Sequence, residues 1–183
     1  VAIMRGCDNF CAYCIVPYTR GREVSRKSSD ILAEIEKLVN SGVKEVTLVG
    51  QNVNSYGASS GSDISFPELL RKAALVEGIR RVRFMTSHPK DISDELIEIF
   101  HETPVLCRHL HLPIQSGSDT VLKKMRRGYT VAEYLAKARR IKTQYSDISL
   151  TSDIIAGFPG ETDADFEATL ELVREIRFDN CFA

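Results

Sequence analysis

Short apolar runs alternate along the chain with longer segments in which apolar residues recur every three or four positions. The runs predict six strands: Val1 to Arg5, Glu45 to Gly50, Val82 to Thr86, Arg108 to Pro113, Ile148 to Ile155, and Phe178 to Ala183. The segments between them predict amphipathic helices, with apolar stripes at Ile31 to Val39, Leu69 to Val76, Leu96 to Phe100, Leu135 to Ile141, and Phe166 to Ile176. Parallel strands need a crossover connection, so the alternation predicts an α/β fold built from βαβ units around a parallel sheet. Periodicity leaves the closure open, between an open doubly wound sheet and a full or partial (β/α) barrel.

Stretches rich in glycine and polar residues directly follow the predicted strands. They are Gly6 to Cys14, Gly50 to Asn54, Ser87 to Pro89, Gln115 to Asp119, and Gly157 to Thr162. In α/β sheets and barrels, the residues after the carboxyl ends of the strands share one face, and sites are built there. We therefore expect the chemistry of this chain on that face.

The size and charge of the chain limit the classes of function. With 183 residues, we expect one domain over 1–183. The chain starts within an apparent buried strand at Val1 and ends within an apolar run, so we expect it to be a piece of a longer protein. Lys and Arg total 24 against 25 Asp and Glu, which excludes a protein that coats nucleic acid through its net charge. No apolar run reaches the roughly 20 residues of a spanning helix, so we expect a cytoplasmic protein that uses no membrane.

Three of the five cysteines lie close together, at Cys7, Cys11 and Cys14. Thiolates are soft ligands for iron, and a [4Fe–4S] cluster normally takes four cysteines, so a loop with three predicts a cluster with one open iron. A structural zinc site completed by His88, His109 or His111 is the alternative, although zinc loops usually contain two ligand pairs. Incidental buried thiols are a further alternative, which the polar character of the loop disfavours. For Cys107 and Cys181, which lie in apolar runs, we predict a core position.

The cysteine motif carries a resemblance to a known family. Cys7-x3-Cys11-x-Tyr13-Cys14, with an aromatic residue before the last cysteine, resembles the signature of the radical S-adenosylmethionine (SAM) superfamily. The resemblance implies that SAM chelates the open iron through its amino and carboxylate groups. It also implies that an electron from the reduced cluster breaks the sulfonium C–S bond of SAM and releases a 5′-deoxyadenosyl radical.

Further segments narrow the resemblance to the methylthiotransferases, over essentially the whole chain. These segments are GCDNFCAYCIVPYTRGREVSR, LVGQNVNSYG, RFMTSHP, HLHLPIQSGSD and SDIIAGFPGET. Pro17 to Gly21 and Gly50 to Gly57 are most similar to the MiaB-type branch, which methylthiolates isopentenyl-adenosine beside a tRNA anticodon. The alternatives are threonylcarbamoyladenosine of tRNA and a ribosomal-protein aspartate; the latter branch tends to carry Asp where this chain has Asn52.

The resemblance also implies a partial (β/α)6 barrel and a set of SAM contacts. Tyr13 would lie near the adenine, and Gly50, Gln51 and Asn52 stand where the glycine-rich loop of the superfamily meets the methionine amino group. Gln115, at the end of the fourth strand, and Arg127, on the following helix, would hold the methionine moiety, since an Arg fork suits a carboxylate. Asp153 would bind ribose hydroxyls, while Ile155 and Gly157 would lie against the adenine. For Asp153 a hydrogen bond to a neighbouring loop is the alternative, and for Ile155 an ordinary core position.

Two interpretations remain open for several other polar residues. Arg20, Arg22, Arg26 and Lys27 contact tRNA phosphates or form a solvated surface. For His88, His109 and His111, structural hydrogen bonding is favoured over a role as acid or base.

The family chemistry implies components beyond this chain. A second [4Fe–4S] cluster, held by three cysteines of an amino-terminal domain, carries the sulfur that is methylated and transferred, and a carboxyl-terminal domain binds RNA. The implied partners are a tRNA substrate and a reductant such as flavodoxin or ferredoxin, and the protein is expected to be a monomer. A rival of another class is a non-catalytic iron–sulfur electron carrier, which would not need elaborated loops after the second, fourth and fifth predicted strands.

Overall fold

The computed structural model describes residues 1–58 and 63–183, and these form two compact units. The first unit comprises Val1–Asp8, Ile15–Ser87 and Asp91–Arg108. The second unit comprises Asn9–Cys14, His88–Lys90 and His109–Ala183. Among the described residues, no helix combines the length and apolar character needed to cross a bilayer.

The first unit is built on two parallel strands covered by helices. Its strands are β1 (Met4–Arg5), β2 (Val24–Ser25), β3 (Glu45–Leu48) and β4 (Arg81–Phe84). Its helices are α1 (Val16–Arg20), α2 (Ser28–Asn40), α3 (Phe66–Ala74) and α4 (Asp94–Glu102), with a 3₁₀ turn at Val53–Ser55. β3 and β4 pair in parallel from Glu45 opposite Arg81 to Leu48 opposite Phe84. Alternate residues of both strands are buried, as expected for strands whose apolar face is covered by helices.

The start of the chain differs from the predicted strand. Ala2 makes an isolated parallel bridge to Val49, whereas Met4–Arg5 pairs antiparallel with Val24–Ser25. The sequence did not predict β2, because a strand of two residues is too short to show a period. Another isolated parallel bridge joins Val82 to Leu106 on the other side of β4.

The second unit holds three parallel strands in the order β5 (His109–His111), β6 (Ser149–Asp153) and β7 (Asn180–Phe182). Its helices are α5 (Asp119–Lys124), α6 (Val131–Gln144) and α7 (Asp163–Ile176). Capping boxes open two of these helices, one at Thr130 with Glu133 and one at Thr162 with Asp165. The predicted βαβ alternation with parallel strands is therefore present in this unit.

Helix α7 buries only part of the apolar stripe that was predicted from Phe166 to Ile176. Its buried residues are Thr169, Leu172 and Ile176, and Phe166 is exposed. The Thr169 hydroxyl accepts a hydrogen bond from the Gly117 N–H at 2.8 Å. A methyl group on Gly117 would lie 2.5 Å from the Thr169 Cα, so only glycine allows this close approach of the two segments. The approach explains why the polar Thr169 is buried.

Candidate functional site

Cys7 follows β1 in the first unit and is 8% exposed. The turn before it depends on Gly6, whose φ is +73° and whose missing Cβ would lie 2.1 Å from the carbonyl oxygen of Arg22. The Cys7 N–H donates to the Gly21 carbonyl at 3.3 Å. The backbone of residues 21–22 therefore fixes the position of this cysteine, and only glycine allows the approach.

Cys11 and Cys14 belong to the second unit, where one tight turn joins them. The Cys14 N–H donates to the Cys11 carbonyl at 3.0 Å, and the Ala12 N–H donates to the Met125 carbonyl at 2.9 Å. Cys11 is buried, whereas Cys14 is half-buried. Phe10, just before the turn, has a φ of +46°, a conformation that non-glycine residues adopt rarely and often at functional sites.

Arg127 is buried beside Cys11. Its guanidinium donates through Nη1 to the Cys11 Sγ at 3.5 Å and through Nη2 to the Pro113 carbonyl at 2.9 Å. Its Nε donates to the Tyr129 hydroxyl, also at 2.9 Å. Burial lowers the pKa of Arg127, but the Tyr129 and Tyr13 phenols and the Cys11 thiol raise it, and the net shift is upward. Arg127 is thus a fixed, buried positive charge at a predicted cluster ligand.

Two features of Arg127 differ from the prediction. It lies in the loop after α5, which ends at Lys124, and not on the helix itself. Each of its three guanidinium nitrogens already donates to a protein group, so the guanidinium is not free to bind a carboxylate through two parallel hydrogen bonds. Arg127 is buried, whereas its neighbour Arg126 is exposed.

Aromatic residues surround this charge. Tyr13 is 40% exposed and meets Phe158 edge to face at 6.5 Å between ring centroids. Burial is the main cause that raises the pKa of Tyr13, and it raises the pKa of Tyr129 to about 12. His88 lies edge to face with Tyr129 at 5.7 Å, and its burial, together with nearby Arg127, lowers its pKa to about 2. Both phenols and the imidazole are therefore neutral at pH 7.

Gln115, Asp153 and Ile155 meet where β5 and β6 end. The Gln115 N–H donates to the Asp153 carbonyl and the Ile155 N–H donates to the Gln115 carbonyl, each at 2.9 Å. Gln115 is buried with a φ of +74°, while Asp153 and Ile155 are half-buried. Gly157 is exposed with a φ of +75°, and its N–H donates to the Glu161 carboxylate. The structure thus brings together three of the predicted SAM contacts and leaves Gly157 on the surface.

Gly50, Gln51 and Asn52 follow β3 in the first unit. A Cβ on Gly50 would lie 2.4 Å from the Met4 Cγ, so glycine is needed there for packing. The Asn52 amide donates to the Asp91 carboxylate at 2.7 Å. Among the described residues, three buried oxygens accept or donate no hydrogen bond: Gln51 Oε1, Asn52 Oδ1 and Ser87 Oγ. All three follow the carboxyl ends of β3 or β4, and buried polar atoms without partners mark a place for a ligand or water.

Two residues of the predicted basic stretch form ion pairs within the first unit. Arg22 pairs with Asp8 and Arg26 pairs with Glu34, each at 2.8 Å, so these two charges are partly neutralised.

Cys107 and Cys181 are half-buried and not fully in the core as predicted. Burial raises the pKa of both thiols. Sequence reasoning missed Tyr129, whose hydroxyl accepts from Arg127 Nε and donates to the Ile114 carbonyl at 2.8 Å.

Both units are of the α/β class, with three cysteines close together in the sequence and polar loops at the carboxyl ends of parallel strands. A family model of the radical SAM superfamily matches residues 1–173. The chain belongs to this superfamily, whose cofactors are a [4Fe–4S] cluster and SAM.

Relatives of known name match the whole chain. It is 58% identical over 183 residues to the tRNA-2-methylthio-N(6)-dimethylallyladenosine synthase of Geotalea uraniireducens and covers 42% of that protein. It is also 58% identical to the synthase of the same name from Geobacter sulfurreducens, of which it covers 41%. The resemblance to methylthiotransferases is confirmed, and the chain spans about two fifths of the length of these relatives.

A solved structure shows the same fold. The radical SAM methyltransferase TsrM from Kitasatospora setae aligns with a TM-score of 0.78 over 99% of this chain and 34% of its own, at 18% sequence identity. The α/β fold class predicted from the alternation of strands and helices is therefore confirmed.

The residues present fit the two cofactors. Among the described residues, no group of three or more His, Cys, Asp or Glu side chains is arranged to hold one metal ion. A cluster places different demands on its ligands, because each cysteine binds a separate iron. A fixed guanidinium at the Cys11 sulfur suits a cluster, whose reduction potential depends on hydrogen bonds to its sulfurs. Buried oxygens without partners beside β3 and β4 suit a polar cofactor such as SAM.

Proposed function

We propose that this chain is the radical SAM core of a tRNA methylthiotransferase that adds a methylthio group to N6-isopentenyladenosine next to the anticodon. The observation that carries the proposal is the 58% identity to synthases of this name over the whole chain, cysteine loop included. The chemistry that the bound cofactors supply is one-electron cleavage of the sulfonium C–S bond of SAM. The residues of this chain bind and orient the cofactors and exclude water from them.

Each predicted residue has a task in this proposal. Cys7, Cys11 and Cys14 hold the cluster, and Arg127 offsets negative charge at the Cys11 sulfur. Gln51 and Asn52 offer their free oxygens to the methionine amino group of SAM. Gln115 and Arg127 flank the methionine moiety, and Asp153 accepts hydrogen bonds from ribose hydroxyls. Tyr13, Ile155, Gly157 and the backbone at Gly50 complete the surface around the adenine and the methionine.

The proposal includes components outside this chain. The relatives are more than twice as long, and a second cluster for sulfur delivery and an RNA-binding domain belong to the full-length protein. The proposed partners are a tRNA and a reductant such as flavodoxin or ferredoxin, and the protein acts as a cytoplasmic monomer. The 183-residue chain alone binds one cluster and SAM but does not complete methylthiolation.

Anaerobic reconstitution tests the cofactor assignment. We expect wild-type chain to hold about four irons and to release 5′-deoxyadenosine from SAM under a strong reductant. Cys11→Ala should lose the cluster, whereas Cys107→Ala, which changes a half-buried cysteine outside the loop, should retain it. Full iron content in Cys11→Ala would overturn the ligand assignment. A cluster without 5′-deoxyadenosine would favour the electron-carrier alternative.

Mass spectrometry tests the substrate assignment. In cells that lack the full-length gene, we expect tRNA to lose the 2-methylthio group of isopentenyl-adenosine and to retain the isopentenyl group. The same samples decide between the alternatives, because loss of the group from threonylcarbamoyladenosine or from a ribosomal-protein aspartate would transfer the assignment to that branch.

A further inference from the structure

One face of the second unit's sheet carries a row of polar side chains. β5 and β6 pair in parallel with His109 opposite Ser149 and His111 opposite Thr151. Side chains alternate between the two faces of a strand, so His109 and His111 share a face, as do Thr151 and Asp153 on β6. The intervening Leu110, Leu150 and Ser152 are fully buried or nearly so, on the other face.

The polar residues form a continuous chain of contacts. His109 Nε2 lies 3.2 Å from Thr151 Oγ1, and Thr151 Oγ1 lies 3.0 Å from His111 Nδ1. His111 Nε2 then lies 3.2 Å from Asp153 Oδ2. The four side chains therefore connect along the strands and end at a carboxylate at the carboxyl end of β6.

Donor and acceptor chemistry gives this chain a direction. An ionised carboxylate only accepts, so His111 donates to Asp153 through Nε2–H. The Nδ1 atom of neutral His111 then accepts, and the Thr151 hydroxyl must be its donor. Thr151 Oγ1 in turn accepts from His109 Nε2–H. Asp153 and Thr151 therefore both favour the Nε2–H tautomer of His111, and the contact with His109 orients the Thr151 hydroxyl toward His111.

The Asp153 carboxylate is held on one side and open on the other. The His111 side chain is 14% exposed and the Asp153 side chain is 39% exposed. Among the described residues, Oδ2 of Asp153 contacts His111 and Oδ1 accepts no hydrogen bond. A carboxylate anchored through one oxygen presents the other in a fixed orientation.

We propose that His111 is a positioning residue that orients the Asp153 carboxylate toward the ribose hydroxyls of SAM, with Thr151 and His109 fixing the His111 tautomer. The proposal rests on the proposed function, in which Asp153 binds the ribose. The contacts that orient Asp153 exist in the chain itself, so they can be tested with and without cofactors.

Nuclear magnetic resonance of the histidine nitrogens tests the direction of the contacts in the cofactor-free chain. At pH 8 we expect His111 to be the Nε2–H tautomer. Thr151→Val removes the hydroxyl while keeping the shape, and should shift His111 toward a mixture of tautomers. An Nδ1–H tautomer in the wild type, or an unchanged spectrum in Thr151→Val, would overturn the proposal.

Two substitutions of His111 separate its two contacts. Gln places an amide near the position of Nε2, so His111→Gln keeps a donor for Asp153. Asn places its amide near the position of Nδ1, so His111→Asn keeps the contact with Thr151 and loses the one with Asp153. The exposed His101 on α4 provides the control substitution His101→Asn.

Ligand binding to the reconstituted chain tests the link to the ribose. The probes are S-adenosylhomocysteine and its 2′,3′-dideoxyribose analogue, measured by calorimetry. His111→Asn should weaken the first roughly tenfold and leave the second nearly unchanged, as for loss of a hydrogen bond to a partly exposed charged group. His111→Gln and His101→Asn should match the wild type.

The outcomes separate the two proposals. Equal weakening of both probes in His111→Asn would show a merely structural role and overturn the positioning proposal. Failure of the wild type to hold a cluster or bind either probe would overturn the proposed function, while the tautomer result would still decide whether the contacts orient Asp153.

Discussion

Arg127 donates from its guanidinium to the sulfur of Cys11 across 116 positions of the chain. The same side chain reaches the Pro113 carbonyl at the end of β5 and the Tyr129 hydroxyl in its own loop. One residue therefore connects the cysteine turn to the segment that follows β5. A cofactor bound by that turn would therefore be held at a fixed position relative to β5.

Replacing Arg127 should weaken both the fold and the cluster. Arg127→Met keeps most of the volume but leaves the Pro113 carbonyl and the Tyr129 hydroxyl with fewer partners, so we expect a loss of roughly 2–4 kcal/mol in the free energy of unfolding. Arg127→Lys keeps the charge but cannot reach all three acceptors. Its stability and iron content should therefore lie between those of the wild type and those of Arg127→Met. Urea denaturation measures the stability, and iron content after reconstitution measures the cluster.

The adjacent Arg126 provides the control. It is exposed and has a φ of +59°, so Arg126→Gly relieves a strained backbone and should be neutral or stabilising. If Arg126→Gly and Arg127→Met lowered iron content equally, loss of positive charge in this loop would be the cause, and the contact with Cys11 would not matter.

Gly6 should tolerate no side chain. Gly6 and Gly21 share nearly the same φ, +73° and +75°, but a Cβ on Gly6 would lie 2.1 Å from the Arg22 oxygen, while one on Gly21 would meet nothing within 4 Å. Gly21→Ala should therefore cost roughly 1–3 kcal/mol from its backbone conformation alone, because a φ of +75° with a ψ of −165° is a region that essentially only glycine adopts. Gly6→Ala should cost at least about 2 kcal/mol more, because the backbone around Cys7 must move. Similar urea midpoints for the two variants would contradict the steric argument.

The sequence predicted the parts of the site that depend on local spacing. Cys11 and Cys14 lie in one turn because two residues separate them, and Gln115 meets Asp153 because both end parallel strands. It could not predict the engaged state of Arg127, whose partners are 14 and 116 positions away. It also misplaced part of the buried face of α7, because the close approach of Gly117 places the polar Thr169 in the interior.

Asn52 should not accept a negative charge. It is 2% exposed, and its amide donates to the Asp91 carboxylate at 2.7 Å. Asn52→Asp would put two carboxylates at this distance and should cost roughly 2–4 kcal/mol at pH 7. The double variant Asn52→Asp with Asp91→Asn restores a donor and an acceptor in reversed order, so it should recover most of the loss. Thermal and urea unfolding of the single and double variants measure this coupling, and a double variant no more stable than Asn52→Asp would contradict the pairing.

His88 should make the folded chain sensitive to acid. Its pKa falls from 6.5 to about 2 because burial and the nearby charges of Arg127, Lys90 and Lys137 disfavour the imidazolium. Below pH 6.5 the unfolded chain therefore binds a proton that the folded chain does not, so its contribution to stability is complete above that pH and declines as the pH falls toward 2. Between pH 7 and pH 5 this single group should remove about 2 kcal/mol from the free energy of unfolding.

His88→Gln isolates this effect, because glutamine is polar but does not titrate in this range. The substitution itself can change stability, so the measured quantity is the difference between the free energies of unfolding at pH 7 and pH 5 in each protein. We expect this difference to be smaller in His88→Gln than in the wild type by about 2 kcal/mol. Parallel pH profiles for the two proteins would mean that His88 accepts a proton in the folded state as readily as in the unfolded one, and that its site beside Tyr129 is open to water.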